Sequence, residues 1–376
     1  MSFKKVLVGF RNTLFGFIYR HIFKPIFFLQ DPEKIHDRGI KLGTLFSKIP
    51  GGLQISRLFF GYKDPKLSQT IAGITFPNPV GLSAGFDKNA HLIKIIHTVG
   101  FGFMEAGSVT GEPCAGNPKP RLWRIPEKQG IRLNYGLMND GAEIIAARIK
   151  KSTRAVPIGI SIAQTNTLKI TTPEESIADY KKAYLLLSPL ADYITINISC
   201  PNALNGQTFC HHPDKLDQLL ENLHTRSSKK PIFLKISPDI TPETLDQIIA
   251  IATTHGITGY ICSNATKDPK NLEGLPGKGA LSGATVRELS NAQIAQIYKK
   301  THGSAVIMGV GGIFSAEDAY EKIKQGASLL QLITGMIYRG PNLISDINLK
   351  LSSLLEKDGY SSLTEAIGAY HNPQQE

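Results

Sequence analysis

The chain has 376 residues, 41% hydrophobic and 19% charged, and a net charge of +11. This length and apolar content exclude a disordered chain and a disulfide-stapled mini-protein, and leave one large α/β barrel with an appendage or two ordinary domains. Four cysteines without a CxxC pair exclude a disulfide scaffold and a zinc ribbon and fit a reducing compartment.

Residues 1–30 hold five cations (Lys4, Lys5, Arg11, Arg20, Lys24), no acid, and eight aromatics, among them Phe10, Phe15, Phe17, Tyr19, Phe23 and Phe27. The longest uncharged run, Asn12 to Tyr19, is eight residues. A spanning helix needs about 20 apolar residues, so this segment is too short to cross a bilayer. No small-residue cleavage site follows it, which argues against a signal peptide. Basic residues interleaved with large apolar ones describe a helix lying in a membrane interface against anionic lipid. The competing reading is a helix that packs its apolar face on the rest of the protein. The apolar residues cover too much of the circumference for one packing face, which favours the membrane. The remaining Lys and Arg are scattered and no DNA or RNA recognition motif appears, so nucleic acid does not explain the charge. Residues 31–78 read as a helical lead-in.

From Pro79 the pattern repeats: a short apolar strand, a polar turn, an amphipathic helix. The predicted strands are 79–84, 100–107, 157–162, 192–199, 231–237, 258–264, 304–310 and 328–334. Helices follow, two of them starting at the N-caps Thr241 and Ser315 and ending near Gly256 and Gly326. Eight βα units over 79–356 predict a closed parallel (β/α)8 TIM barrel with an N-terminal helical membrane-associating extension, leaving 357–376 as a C-terminal tail.

In such a barrel the chemistry sits at the C-terminal strand ends. GVGG (309–312) and TGM (334–336) close the last two strands, where backbone N–H groups and the helix after Ser315 can receive a phosphate; glycines can serve turns alone, but two such motifs at these two strands favour the phosphate site. Cys200, just past a strand in NISCPN, suits a general base or nucleophile, its ordinary pKa of about 8.5 lying near working pH. Cys262 reads as a structural strand residue, and Cys114 and Cys210 as loop thiols. Lys88 and Lys235 end strands one and five, and each needs an anion or an electron-rich ring. With Asn197, Asn202 and Asn264 they describe a site for a planar, polar, anionic heterocycle beside a phosphorylated cofactor. No metal-ligand cluster is visible.

The motifs GLSAGFDKN, EAGSVT, KPRLWR, NISCPN, LKISPD, GVGGI and QLITG, collinear from about Gln30 to Leu355, together resemble the dihydroorotate dehydrogenases. QDPEKIH and the extension before it resemble the membrane-associated, quinone-dependent class. The resemblance implies a barrel that binds FMN and oxidises dihydroorotate to orotate in pyrimidine synthesis, passing electrons to a membrane quinone through the N-terminal helices. It places Ala84, Gly85, Phe86, Asp87, Lys88, Ser108, Ser161, Asn197, Lys235, Ser263, Gly283, Gly312, Ile333 and Thr334 at the cofactor. It places Lys88, Asn134, Tyr135, Gly136, Leu137, Asn197, Asn202, Asn264 and Ala265 at the substrate, with Cys200 as the base. Three positions depart from the family pattern. Cys200 stands where the quinone class usually has Ser. Asn134 lies two residues before Gly136, so Leu133 takes the register of the family's substrate Asn. Ser161 stands where the third strand usually ends in Asn. The implied location is the cytoplasmic face of a bacterial inner membrane. The rivals are a soluble-type enzyme reducing fumarate or NAD and a non-catalytic membrane-bound scaffold.

Overall fold

The computed structural model describes residues 3–204 and 208–371. Four helices come first: α1 (Phe3–Ile18), a π-turn over Tyr19–Phe23, α2 (Lys24–Phe28), α3 (Pro32–Phe46) and α4 (Gly52–Phe60). A hairpin of β1 (Gln69–Ile71) and β2 (Ile74–Phe76) leads into the barrel. The barrel strands are β3 (Val80–Leu82), β4 (Phe103–Val109), β7 (Ile158–Ile162), β8 (Tyr193–Asn197), β9 (Ile232–Lys235), β10 (Gly259–Cys262), β12 (Val306–Val310) and β13 (Leu329–Leu332), all parallel and closed in that order. The remaining strands, β5 (Leu122–Ile125), β6 (Gly130–Leu133) and β11 (Ala280–Gly283), form a separate antiparallel sheet that the sequence pattern did not reveal.

All eight expected strands form, most of them trimmed at one or both ends. The second moves from 100–107 to Phe103–Val109 because Gly100, at φ +100°, caps the preceding 3-10 turn. Thr241 and Ser315 cap their helices as expected, each hydroxyl accepting a backbone N–H at 3.2 Å. Gly256 (φ +66°) and Gly326 (φ +120°) stand just past the helix ends, in the left-handed conformation that Gly adopts most readily. The C-terminal stretch is no loose tail as far as it is described: Leu363 and Ala366 are buried and Gly368 N–H donates to the Ile323 carbonyl.

Strand alternation sorts the barrel interior into layers. Phe103, Tyr193, Phe233, Ile261, Met308 and Leu329 form the lowest, closed by Phe76 of the hairpin. Two residues on, the same strands carry Glu105, Thr195, Lys235 and Gln331, and two further come Gly107, Asn197 and Ile333 at the mouth. Aromatic rings fit the lowest layer only beside glycine. A Cβ on Gly81 would sit 2.3 Å from the Phe103 ring, and one on Gly159 2.0 Å from Tyr193.

The N-terminal helix packs by the stripe one would least expect. Gly9, Asn12 and Gly16 face the helix Asn342–Lys357, with a Cβ on Gly16 only 2.9 Å from the Asn342 amide. Lys5 pairs with Glu356 at 2.8 Å, and Arg11 reaches Ser345 Oγ at 2.7 Å and the Leu58 carbonyl at 2.8 Å. Phe3, Leu7, Phe10, Leu14 and Phe17 point away from the protein, while Phe15 packs edge-on against Phe59 of α4 at 5.3 Å. Among the described residues no helix is long and apolar enough to cross a membrane.

Candidate active site

One cavity of about 950 Å³ runs from the barrel mouth out to α2, α3, α4 and Tyr19 of the π-turn. Its inner end is polar and its outer end is lined by Phe27, Phe28, Ile35, Leu42, Ile55 and Phe59. The sequence-predicted residues Ala84, Gly85, Phe86, Lys88, Ser108, Tyr135, Gly136, Leu137, Asn197, Cys200, Asn202, Lys235, Ser263, Asn264, Ala265, Gly283, Gly312, Ile333 and Thr334 all lie on its wall. They come from separate strand ends and loops, brought together by closure of the barrel.

Three expected residues do not line it. The Asp87 carboxylate accepts from the backbone N–H groups of His91 and Leu92, so it shapes the loop after β3. Ser161 is fully buried behind Ser108, whose hydroxyl it meets at 2.8 Å. Asn134 accepts from the Asn117 amide at 3.1 Å, while its neighbour Leu133 takes the place on the wall. Strand alternation explains that exchange: Leu133 ends β6 with its side chain on the cavity side, and the next residue faces the other way.

Lys88 is the sharpest feature. It is buried, its Nζ has no hydrogen-bond partner, and it sits 4.0 Å from the centre of the Tyr135 ring. Burial pulls its pKa down to about 8, with Asp37 and Glu33 opposing. A desolvated cation with spare donors is an anion receptor. Lys235 is equally buried, its Nζ donating to Ser83 Oγ at 3.5 Å; desolvation lowers its pKa and Glu105, in the same layer of the barrel interior three strands round, raises it. The amides are fixed: Asn197 Nδ2 donates to Ser108 Oγ at 2.9 Å, Asn264 Nδ2 to the Ser199 carbonyl at 3.0 Å, and Asn202 Oδ1 accepts from Ala280 N–H at 3.1 Å.

Cys200 is buried, and burial raises its thiol pKa, opposed by the N–H groups of Asn202 and Ala203 and by Lys267 and Lys235. The expectation of a thiol at its ordinary pKa is therefore corrected, because desolvation outweighs the neighbouring donors. Cys114 and Cys210, read as loop thiols, are buried too. Gly311 and Gly312 after β12, Thr334 after β13, Ser263 after β10 and Gly283 at the end of β11 make a glycine-rich recess of the cavity wall. Gly283 holds φ +108°, and a Cβ there would strike the Gln129 carbonyl at 2.4 Å. Such a recess beside two buried cations, Lys88 without a hydrogen-bond partner and Lys235 bonded to Ser83, fits a phosphorylated cofactor with an electron-accepting ring. No group of three or more His, Cys, Asp or Glu that could hold a metal occurs among the described residues.

Sequence reasoning did not single out Glu33, Arg121, Asn117 or Glu105. Only the motifs KPRLWR and QDPEKIH, quoted for the resemblance, carried a signal for the first two.

Known proteins share this arrangement. A relative from a Nitratiruptor species, named dihydroorotate dehydrogenase (quinone), is 39% identical over 354 residues, covering 92% of this chain and 97% of its own. One of the same name from Acidithiobacillus ferrooxidans is 38% identical over 362 residues, covering 93% and 98%. The crystal structure of ligand-free DHODH from Eimeria tenella superposes with a TM-score of 0.81 at 29% identity, over 91% of this chain and all of the other. The ferulenol complex of the same organism's enzyme gives 0.79 at 30% identity, over 91% and 96%. A family model described as dihydroorotate dehydrogenase matches residues 66–355, from just before the hairpin to the helix that supports α1. With the barrel, its mouth and the N-terminal helices all accounted for, the chain belongs to the dihydroorotate dehydrogenase family.

Proposed function

We propose that the protein oxidises (S)-dihydroorotate to orotate in pyrimidine synthesis, with FMN as its cofactor and a membrane quinone as electron acceptor. The observation that carries this reading is the single cavity with two chemically different ends. Its polar end suits an anionic, hydrogen-bonding ring and its apolar end a quinone. FMN, when bound, supplies a hydride acceptor for the substrate carbon and an electron donor to the quinone. The recess of Gly283, Gly312, Ser263 and Thr334 would hold its phosphate, and Lys235 would answer negative charge on its reduced ring.

The protein's own part is binding and proton transfer. The Lys88 ammonium meets the substrate carboxylate, and Asn197, Asn202 and Asn264 offer amides to the ring. The Cys200 thiolate takes the C5 proton as hydride leaves C6, becoming a neutral thiol that must return its proton to solvent before the next turnover. Two protons and two electrons leave dihydroorotate, and the quinone receives them as quinol. The exposed apolar stripe of α1, with Leu42 and Leu58 on α3 and α4, supports peripheral attachment to the cytoplasmic face of a bacterial inner membrane. The anionic-lipid attraction expected from all five cations is reduced here, since Lys5 and Arg11 bind the protein.

The test is steady-state oxidation of dihydroorotate with a ubiquinone analogue, a menaquinone analogue, fumarate and NAD side by side. Quinone should be the preferred acceptor. Faster turnover with fumarate or NAD would support the soluble-type enzyme, and a colourless purified protein without flavin absorbance would support the scaffold.

A further inference from the structure

The helix α3 lines the outer half of the cavity, yet one of its side chains, off that wall, reaches Arg121 behind the substrate half. Glu33 is buried and receives the Arg121 guanidinium through both oxygens, at 2.7, 3.1 and 3.2 Å. A buried fork of this kind fixes direction as well as charge. The other arm of Arg121 donates to the Ala115 and Asn117 carbonyls at 2.9 and 3.1 Å. Asn117 N–H in turn donates to the Tyr135 carbonyl at 3.0 Å, and the guanidinium lies 5.1 Å from the Tyr135 ring. That ring carries Lys88 at 4.0 Å. One helical turn on, His36 Nε2 bonds the Phe86 carbonyl at 2.8 Å, two residues before Lys88.

Lys88 has no acceptor of its own, so its direction is set by what surrounds it. The charged and titratable groups facing it are Glu33, Asp37, Asp87, Arg121, His36 and Tyr135. Of these, Asp87 is occupied by two backbone N–H groups, and burial holds His36 toward its neutral form. Glu33 both neutralises Arg121 and helps keep Lys88 charged.

We propose that Glu33 and Arg121 are positioning residues for the substrate: from α3 they hold Tyr135 in place, and through it they aim the Lys88 ammonium at the substrate carboxylate. The inference rests on the proposed substrate role of Lys88, and it makes the acceptor-side helix part of the substrate site.

The experiment titrates orotate into flavin-loaded full-length protein and follows the flavin absorbance from pH 6 to 10, alongside the KM for dihydroorotate and for quinone. Arg121→Lys keeps the charge and loses the fork, so orotate affinity should fall about tenfold with the pH limb unmoved. Glu33→Gln should weaken orotate similarly and also move the alkaline loss of affinity to lower pH, by about one unit, because Lys88 loses a supporting carboxylate. Glu33→Asp should restore the limb. The quinone KM should stay unchanged in all three. If both Arg121→Lys and Glu33→Gln fold, as judged by flavin content and melting temperature, and bind orotate with wild-type affinity and pH profile, the pair is merely structural and the inference is overturned. If Glu33→Gln does not fold, Arg121→Lys and Glu33→Asp decide the case by the same affinities. Lys88→Ala separates the levels: orotate affinity surviving that change removes the substrate role of Lys88 itself, whereas loss there with intact binding in the pair variants removes only the positioning role.

Discussion

The two buried groups assigned to the substrate are shifted in opposite directions, and this makes the pH dependence of flavin reduction unusual. Burial raises the Cys200 thiol above its ordinary range, while Lys88 falls to about 8. With the thiol raised above its ordinary range, only a small fraction of Cys200 is thiolate at neutral pH, so the rate should rise with each added pH unit as the thiol ionises. In stopped-flow reduction at saturating dihydroorotate, the rate constant should therefore climb with unit slope past pH 8.5 before levelling. Divided by the substrate dissociation constant, the same rate should flatten near pH 8, where the free enzyme loses its Lys88 charge. Above the thiol pKa that ratio should fall. Cys200→Ala should reduce flavin about 10²–10⁴-fold more slowly, the usual contribution of a general base. Cys200→Ser should retain less activity than wild type, with its limb moved to higher pH. A rate constant that plateaus below pH 8, or a Cys200→Ala enzyme with near wild-type reduction and an unchanged profile, would refute both the burial argument and the assignment of the base.

Removing residues 1–30 should free the protein from vesicles and leave flavin bound. Quinone turnover should collapse while single-turnover reduction persists, because Tyr19, Phe27 and Phe28 belong to the outer cavity wall only. Lys235→Ala should lower flavin content and slow reduction; normal content and full speed would remove its role. Lys322 is fully buried, bonded to Ser290 Oγ at 2.9 Å and Asn291 Oδ1 at 2.8 Å, with burial bringing its pKa to about 7. Its folded pKa lies below the unfolded one, so the native state binds fewer protons and wild-type stability gains with pH from about 7 to about 10.4, by at most about 1.4 kcal/mol per unit. The stability of Lys322→Met relative to wild type should therefore decline over that window, and a pH-independent difference in denaturant midpoints would refute this.

The barrel was legible because a parallel strand buried on both faces must read as a short apolar run, and the glycines and caps between such runs punctuate the helices. The site was legible wherever a polar residue ended a strand: Lys235, Asn197, Ser263 and Thr334 are where the pattern places them. It was not legible where contacts cross long stretches of chain. Glu33 and Arg121 meet across 88 residues, and nothing local distinguishes either from a solvated charge. Glu105 is hidden for a related reason. It follows Phe103 by two residues in an otherwise apolar strand, and its burial beside Thr195 and Gln331 depends on which strands become neighbours. Asn134 misled because the sequence shows an Asn near the right place, whereas alternation along β6 decides which side chain enters the cavity.

The N-terminal helix shows why composition alone could not choose between lipid and protein. Both readings assumed that apolar residues do the packing. Here the stripe facing the helix Asn342–Lys357 is small and polar, Gly9, Asn12 and Gly16, which lets the backbone of α1 come close and be held through Lys5 and Arg11, with Phe15 packing on α4 beside it. A helix attached this way can leave its large apolar face unburied without loosening from the barrel. Under the proposed membrane attachment, that face would be buried in a phase other than water, at roughly 25 cal/mol per Å² of apolar area. The charged residues that composition assigned to lipid headgroups are in part the clamp. Attachment to the membrane should accordingly depend more on Phe10, Leu14 and Phe17 than on net charge, so replacing these three with Ser should release the protein from vesicles that Lys4→Ala and Arg20→Ala variants still bind.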